Sequence, residues 1–448
     1  MSPLHAENLQ HVLATAQPLV RMGRVVKASG LIIEARMPLA SVGDTCEIIL
    51  NSGRRVHAEV VGVGEHTALL MPYTPVHGIH AGAEVLTLTD GASIPVGDQL
   101  LGRVVDASLM PMDGRGLSAA GERAPLQGRV PPAMQRRRIA RVMRLGIRVL
   151  DAFLTCGEGQ RIGIMAGPGV GKSVLLGMLA RQSDADVNVV ALVGERGREV
   201  REFVERDLGP AGLARSVIVV ATGDEAPLMR VRAAQAATAV AEFFRSRGKR
   251  VLLMVDSLTR VAMAQREIGL AVGEPPTSKG YPPSVFALLP RLLERAGNDA
   301  GQGSITGIYT VLVEGDDLSD PVADSARSLL DGHVVLSRRL ASSGHFPAVD
   351  VLASISRVMN DVVTPDHRTI ARAGREVLAA YKEAADLVEV GAYVKGSNPR
   401  VDRALACIDA VNTFCRQEHA ESAPLERTLS QLRTASSPPI SNPRAAHA

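Results

Sequence analysis

Arg161-Ile-Gly-Ile-Met-Ala166-Gly167-Pro168-Gly169-Val170-Gly171-Lys172-Ser173-Val-Leu-Leu-Gly-Met-Leu-Ala180 joins two apolar runs through a glycine-rich turn. The first run reads as a buried strand and the second, from Val174, as an apolar helix. A turn of this kind lets backbone N–H groups curl around phosphate oxygens, and the helix N-terminus adds the positive end of its dipole. Lys172 would reach the β- and γ-phosphates of a nucleotide, and the Ser173 hydroxyl would bind Mg²⁺. Ala166 stands where the strict motif has Gly, but at the end of a strand a small residue suffices. The alternative is a tight structural turn, which strand before, Gly-Lys-Ser within and helix after all disfavour.

A phosphate loop needs acids to finish its chemistry, and two strand ends offer them. Lys249-Arg-Val-Leu-Leu-Met-Val-Asp256 is a basic lead-in, a buried strand and an acid at its carboxyl end. Ligands of α/β folds sit at that end, so Asp256 would hold the water shell of Mg²⁺; a capping Asp is the alternative. The second is Val189-Val-Ala-Leu-Val-Gly-Glu195-Arg196-Gly-Arg198-Glu199. Glu195 there could polarise the attacking water and Arg196 could touch the γ-phosphate. On spacing alone, a surface charge cluster fits equally well.

Further strand candidates at Val217–Ala221, Val251–Val255 and Ile305–Val313 alternate with helix-length segments. That alternation predicts an α/β core with a mainly parallel sheet. Upstream, short β-rich runs from 22 to 92 are divided by Gly, Asp and Pro turns and predict a small barrel. Residues 93–365 then comprise a connector and the core, 366–420 a helical domain, and 421–448, rich in Ser, Pro and Ala, a flexible tail. Residues 1–21 carry a short amphipathic helix at 4–17, stopped by Pro18.

The 448 residues are long enough for about three domains. Lys plus Arg is 50 against 47 Asp plus Glu, a net +3, too even for a protein that coats polyanions. An apolar share of 46% with 22% charged excludes wholesale disorder. No run reaches the roughly 18 apolar residues of a membrane span, and the start lacks a signal peptide's pattern. Cys46, Cys156, Cys407 and Cys415 have neither disulfide-scaffold nor zinc spacing, which points to a cytoplasmic protein.

Longer strings then carry a resemblance. They are Glu195-Arg-Gly-Arg-Glu-Val-Arg-Glu, Asp256-Ser-Leu-Thr-Arg-Val-Ala-Met-Ala-Gln265 and Gly273-Glu-Pro-Pro-Thr-Ser-Lys-Gly280-Tyr-Pro-Pro-Ser-Val-Phe. Gly315-Asp-Asp-Leu-Ser-Asp-Pro321, Leu330-Asp-Gly-His-Val-Val-Leu-Ser-Arg338 and Ser354-Ile-Ser-Arg357-Val-Met belong with them. Together they resemble the ATPases of type III protein export, relatives of the catalytic subunit of rotary ATP synthase, and the flagellar branch most of all. The resemblance implies a small N-terminal β-barrel, a RecA-like P-loop ATPase core and a helical C-terminal domain, assembled as a homohexamer. It implies ATP hydrolysis with Mg²⁺, chaperone release and substrate unfolding at the export gate of the inner membrane.

Carried over by motif, Ala166 to Ser173 bind the phosphates, Ser173 and Asp256 serve Mg²⁺, and Glu195 is the catalytic carboxylate with Arg196 beside the γ-phosphate. Arg357 is the arginine finger offered to a neighbouring subunit. The family also implies a stator-like regulator at the N-terminus, a central coiled-coil stalk facing Val390–Pro399, export chaperones and substrates, and a peripheral membrane location. The chain departs from the family pattern at Arg138, where Pro is usual, and at Leu145, where Thr is. A virulence injectisome ATPase is the nearest alternative. A non-catalytic synthase subunit should lack Glu195. A ring-shaped RNA translocase would need aromatic platforms, and the barrel offers one, Tyr73; no nucleic acid is expected.

Overall fold

The computed structural model describes residues 21–74, 77–88, 93–116, 121–313 and 320–438. The expected helix at 4–17, most of the Gly315–Pro321 string and the end of the tail lie outside the described residues. The chain divides into two compact units, one built mainly from residues up to Ser93 and the other from most of the rest.

The first unit is a closed antiparallel barrel. Its strands are β1 (Met22–Ser29), β2 (Ile32–Arg36), β3 (Thr45–Ile49), β4 (Arg55–Val63), β5 (Ala68–Pro72) and β6 (Glu84–Leu88), in the order β1-β2-β5-β4-β3-β6. Closure removes the unpaired edges an open sheet would expose. Alternate side chains, among them Val25, Ile33, Ile48, Val56, Val60, Leu70 and Val85, fill the interior.

The second unit is built on a sheet whose main strands are β7 (Arg103–Asp106), β8 (Arg161–Ala166), β9 (Val187–Val193), β10 (Ser216–Ala221), β11 (Arg250–Asp256), β12 (Ser304–Leu312), β13 (Gly332–Leu336) and β14 (Val349–Ser356). They lie in the order β14-β13-β8-β12-β11-β9-β10-β7, all parallel except β14, which runs antiparallel to β13 at one edge. β9 and β10 are buried along their whole length, as strands covered on both faces must be. β7 was not expected: it lies inside the turn-rich connector and joins the sheet by pairing with β10.

Helix α1 (Lys172–Gln182) packs so closely on the segment Phe203–Leu208 that a Cβ on Gly177 would lie 2.6 Å from the Asp207 carbonyl oxygen. The obstacle is backbone, so it cannot swing away. Gly177→Ala therefore destabilises the core by about 1 to 2 kcal/mol, overpacking outweighing the gain in helix propensity. A fall in melting temperature checks this, and an unchanged or higher value would contradict it.

The C-terminal helices carry their start signals in the sequence. α2 (Pro365–Glu389) follows Thr364, whose side chain accepts from the His367 N–H; α3 (Pro399–Cys415) follows Asn398, which accepts from the Arg400 N–H. Each has Pro at its first position, where no N–H is needed. The tail expected at 421–448 is corrected in part: Leu425–Ala435 forms a helix, α4, whose Thr428, Leu432 and Ala435 are buried at helical spacing. Leu432 packs where Gly374 of α2 leaves room beside Phe153. At Leu145, the departure from the family pattern is accommodated in the core: the side chain is buried in the main apolar cluster, and its backbone N–H donates to the buried Asp151 at 2.9 Å.

Candidate active site

The phosphate loop leaves β8 at Ala166 and enters α1 at Lys172. Gly169 and Gly171 have φ of 77° and 87°, left-handed values that a side chain would resist. Ala166 is still a strand residue, paired with Leu336 and Leu312, so glycine is not required there.

Three charged groups meet above the carboxyl ends of the strands. Lys172 Nζ lies 2.5 Å from Asp256 Oδ1 and 3.2 Å from Glu195 Oε1. Asp256 closes β11, and its Oδ1 also accepts from the Thr310 hydroxyl of β12 at 2.7 Å, which fixes its rotamer. Glu195 follows β9 through Gly194, whose φ of 73° turns the chain into the crevice. Burial disfavours the Lys172 ammonium, but the charges of Asp256 and then Glu195 outweigh it and hold its pKa above the usual lysine value. Burial also pushes the Glu195 carboxyl up, against the pull of Lys172 and with help from neighbouring Glu199.

Ser173 is exposed at the start of α1. A hydroxyl and one carboxylate are hard oxygen donors, and among the described residues no group of three His, Cys, Asp or Glu offers a fuller cage. That donor set fits Mg²⁺, which keeps most of its water and shares phosphate oxygens.

Two of the expected residues are not brought to this cluster. The Arg196 side chain is 87% exposed and faces Glu199 at 3.8 Å. Arg357, just beyond β14, lines a separate groove of about 950 Å³ with Arg368, Arg372 and Arg375. Its guanidinium donates to the Arg327 carbonyl at 3.3 Å.

A cavity of about 630 Å³ beside the loop was not foreseen from the sequence. Its walls include Gly169, Gly171, Val174, Phe346, Pro347 and Gln417. The Phe346 ring lies so near the loop that a Cβ on Gly171 would touch it at 3.3 Å. A flat apolar ring beside a phosphate cradle suits a stacked base. The stretch His345-Phe346-Pro347 carries no signal of this, because only the tertiary fold brings it beside residues 169–174.

A nucleotide cradle at the carboxyl ends of a parallel sheet, with a lysine and two acids converging on it, defines a P-loop ATPase. The comparisons narrow the class. Residues 146–356 match the nucleotide-binding domain of the ATP synthase alpha/beta family, residues 25–88 its beta-barrel domain, and residues 363–434 the T3SS EscN ATPase C-terminal domain. The chain is 51% identical to the flagellum-specific ATP synthase of Bacillus subtilis over 92% of its own length and 94% of that protein. It is 49% identical to the type 3 secretion system ATPase of Xanthomonas euvesicatoria over 96% and 98%. The structure of the assembled ATPase EscN from the enteropathogenic E. coli type III secretion system superposes with a TM-score of 0.88 at 43% identity, covering 93% of this chain and all of that one. The chain belongs to the type III export ATPases, flagellar and secretion-system, within the ATP synthase alpha/beta family. It hydrolyses ATP to energise type III export.

Proposed function

We propose that this chain is the ATPase of flagellar protein export, hydrolysing ATP with Mg²⁺ in a homohexameric ring whose sites are completed by Arg357 of the adjoining subunit. The observation that carries the hydrolytic reading is the Lys172 ammonium held between Asp256 and Glu195 at the mouth of the phosphate loop. Before nucleotide arrives, the lysine bridges the two acids and offsets part of their charge. Terminal phosphates compete for that ammonium and draw it away. Asp256 is then released, with Ser173, to hold Mg²⁺, which would neutralise charge on the phosphates when bound. Glu195 loses the cation that lowers its pKa, so its burial makes it a better acceptor for the proton of the attacking water.

Loop N–H groups of Gly167 and of Gly169 to Ser173 hold the phosphates, Pro168 having none to donate, and Phe346 takes the base. Arg196 reaches the γ-phosphate only by leaving Glu199. Arg357, exposed at the end of an edge strand, is free to meet a nucleotide that its own chain does not hold. The solved complex of EscN with its central stalk EscO supports a ring around a stalk for this chain too. The exposed Val390 and Val394, in the turn between α2 and α3, suit such a contact. Among the described residues no helix is long and apolar enough to cross a membrane, so membrane association would be peripheral. A stator-like regulator at the N-terminus, export chaperones with their substrates, and the export gate complete the proposed partners.

The flagellar choice rests on the strings quoted above and on flagellum-specific relatives at 51% identity; secretion-system relatives at 49% and 50% keep an injectisome role as the second reading. A deletion strain separates them. Loss of filaments and of secreted flagellin, restored by the wild-type chain, supports the flagellar reading. Normal filaments with loss of secreted effectors would move the protein to an injectisome.

A further inference from the structure

Gln417 follows α3 and is 5% exposed, yet nothing in its sequence context marks it. Its side-chain amide donates to the carbonyls of Gly146 and Glu421, both at 2.9 Å, with Gln182 Oε1 at 3.3 Å. Its Oε1 accepts from the Arg148 N–H at 2.8 Å, and its own N–H donates to the Phe346 carbonyl at 3.0 Å. One residue thus joins the entry to the core, the end of the phosphate-loop helix, the C-terminal segment and the ring beside the loop. Arg148 reinforces the joint with bonds to the carbonyls of Phe414 and Arg416 and to the Glu421 carboxylate. Arg181 adds one to the His419 carbonyl at 2.7 Å.

The consequence is positional. Phe346 sits on a short loop, 45% exposed, with its ring beside Gly171. Its carbonyl is held by the Gln417 backbone N–H, and that backbone is anchored in turn by the Gln417 side chain, which bonds Gly146, Arg148, Gln182 and Glu421. We propose that Gln417 is the positioning residue of the base subsite, fixing Phe346 against the phosphate loop and tying base binding to the docking of α3. The proposal rests on the nucleotide reading of the loop and goes beyond it in assigning the base's share of affinity to a residue that does not touch the phosphates. Preorganised contacts of this kind raise affinity by reducing what must be ordered on binding.

Inorganic tripolyphosphate, which has no base, separates this role from a general structural one. In the full chain, Gln417→Ala raises the KM for ATP about tenfold to a hundredfold, mostly without loss of kcat. The inhibition constant of tripolyphosphate moves less than about twofold. Adding Gln417→Ala to Phe346→Ala costs less than about threefold more, because both act through one ring. Gln417→Met, which keeps the volume and the backbone bond to Phe346 but loses the side-chain bonds that anchor it, serves if the alanine variant is insoluble. An unchanged KM for ATP would overturn the proposal, as would equal weakening of ATP and tripolyphosphate. Failure of the underlying reading looks different: Lys172→Ala would then leave both ligands bound as tightly as before.

Discussion

Glu195→Gln removes ATP hydrolysis while ATP stays bound. The substitution keeps the shape and the hydrogen-bonding reach of the side chain but removes its capacity to take a proton. A positioned general base contributes roughly 10² to 10⁴ in rate, so turnover falls by at least about a hundredfold. Binding should hold or tighten slightly, because Lys172 then faces one carboxylate fewer and is freer to meet phosphate. Steady-state turnover together with binding of a fluorescent ATP analogue checks both halves. Turnover within fivefold of wild type would remove Glu195 from the mechanism, and loss of binding would make its role structural.

Arg357→Ala has the other large effect, for a different reason. The guanidinium is exposed, lines a groove separate from the Lys172 cluster, and shares that groove with Arg368 and Arg372. Within one chain it contributes nothing to the nucleotide. Across a ring contact it would stabilise transition-state charge, worth about 10³ to 10⁵ in turnover. The variant therefore binds ATP normally and turns over at least about a hundredfold more slowly. Two further results follow from a shared site. Activity per chain rises with protein concentration, and mixing Arg357→Ala with Lys172→Ala recovers activity that neither has alone. Recovery arises because some neighbours then pair an intact phosphate loop with an intact finger. A mixture as inactive as its parts would count against the composite site.

The sequence disclosed much of this site because its chemistry is local to strand ends. Ala166, Val193 and Asp256 each end a buried apolar run, and the residue at or just past such an end projects over the sheet. Lys172 and Asp256 could therefore be proposed from the residues alone, whereas for Glu195 spacing left a surface charge cluster equally open and the family resemblance decided it. Arg196 shows the limit: adjacency in sequence placed it near Glu195, but a surface arginine follows solvent and a nearby acid. Phe346 and Gln417 were invisible for the opposite reason. Their neighbours lie far away along the chain, and neither belongs to a motif of regular spacing.

The same distinction holds for the fold. The five core strands expected from apolar runs are present as β8 to β12, since runs covered by helices on both faces announce themselves. β7 is four residues long within turn-rich sequence, and its pairing with β10 is a tertiary event. Helix α4 was concealed by composition. The Ser and Pro residues that follow it made the whole segment read as a tail, although Thr428, Leu432 and Ala435 already have helical spacing.

In the proposed function, hydrolysis at the Lys172–Glu195–Asp256 cluster energises export. The most direct test is the amount of flagellin secreted by a deletion strain carrying Glu195→Gln at wild-type protein levels. Secretion is expected to fall to that of the deletion itself, with full recovery from the wild-type chain. Secretion near wild type from a stably produced, hydrolysis-dead Glu195→Gln protein would contradict it.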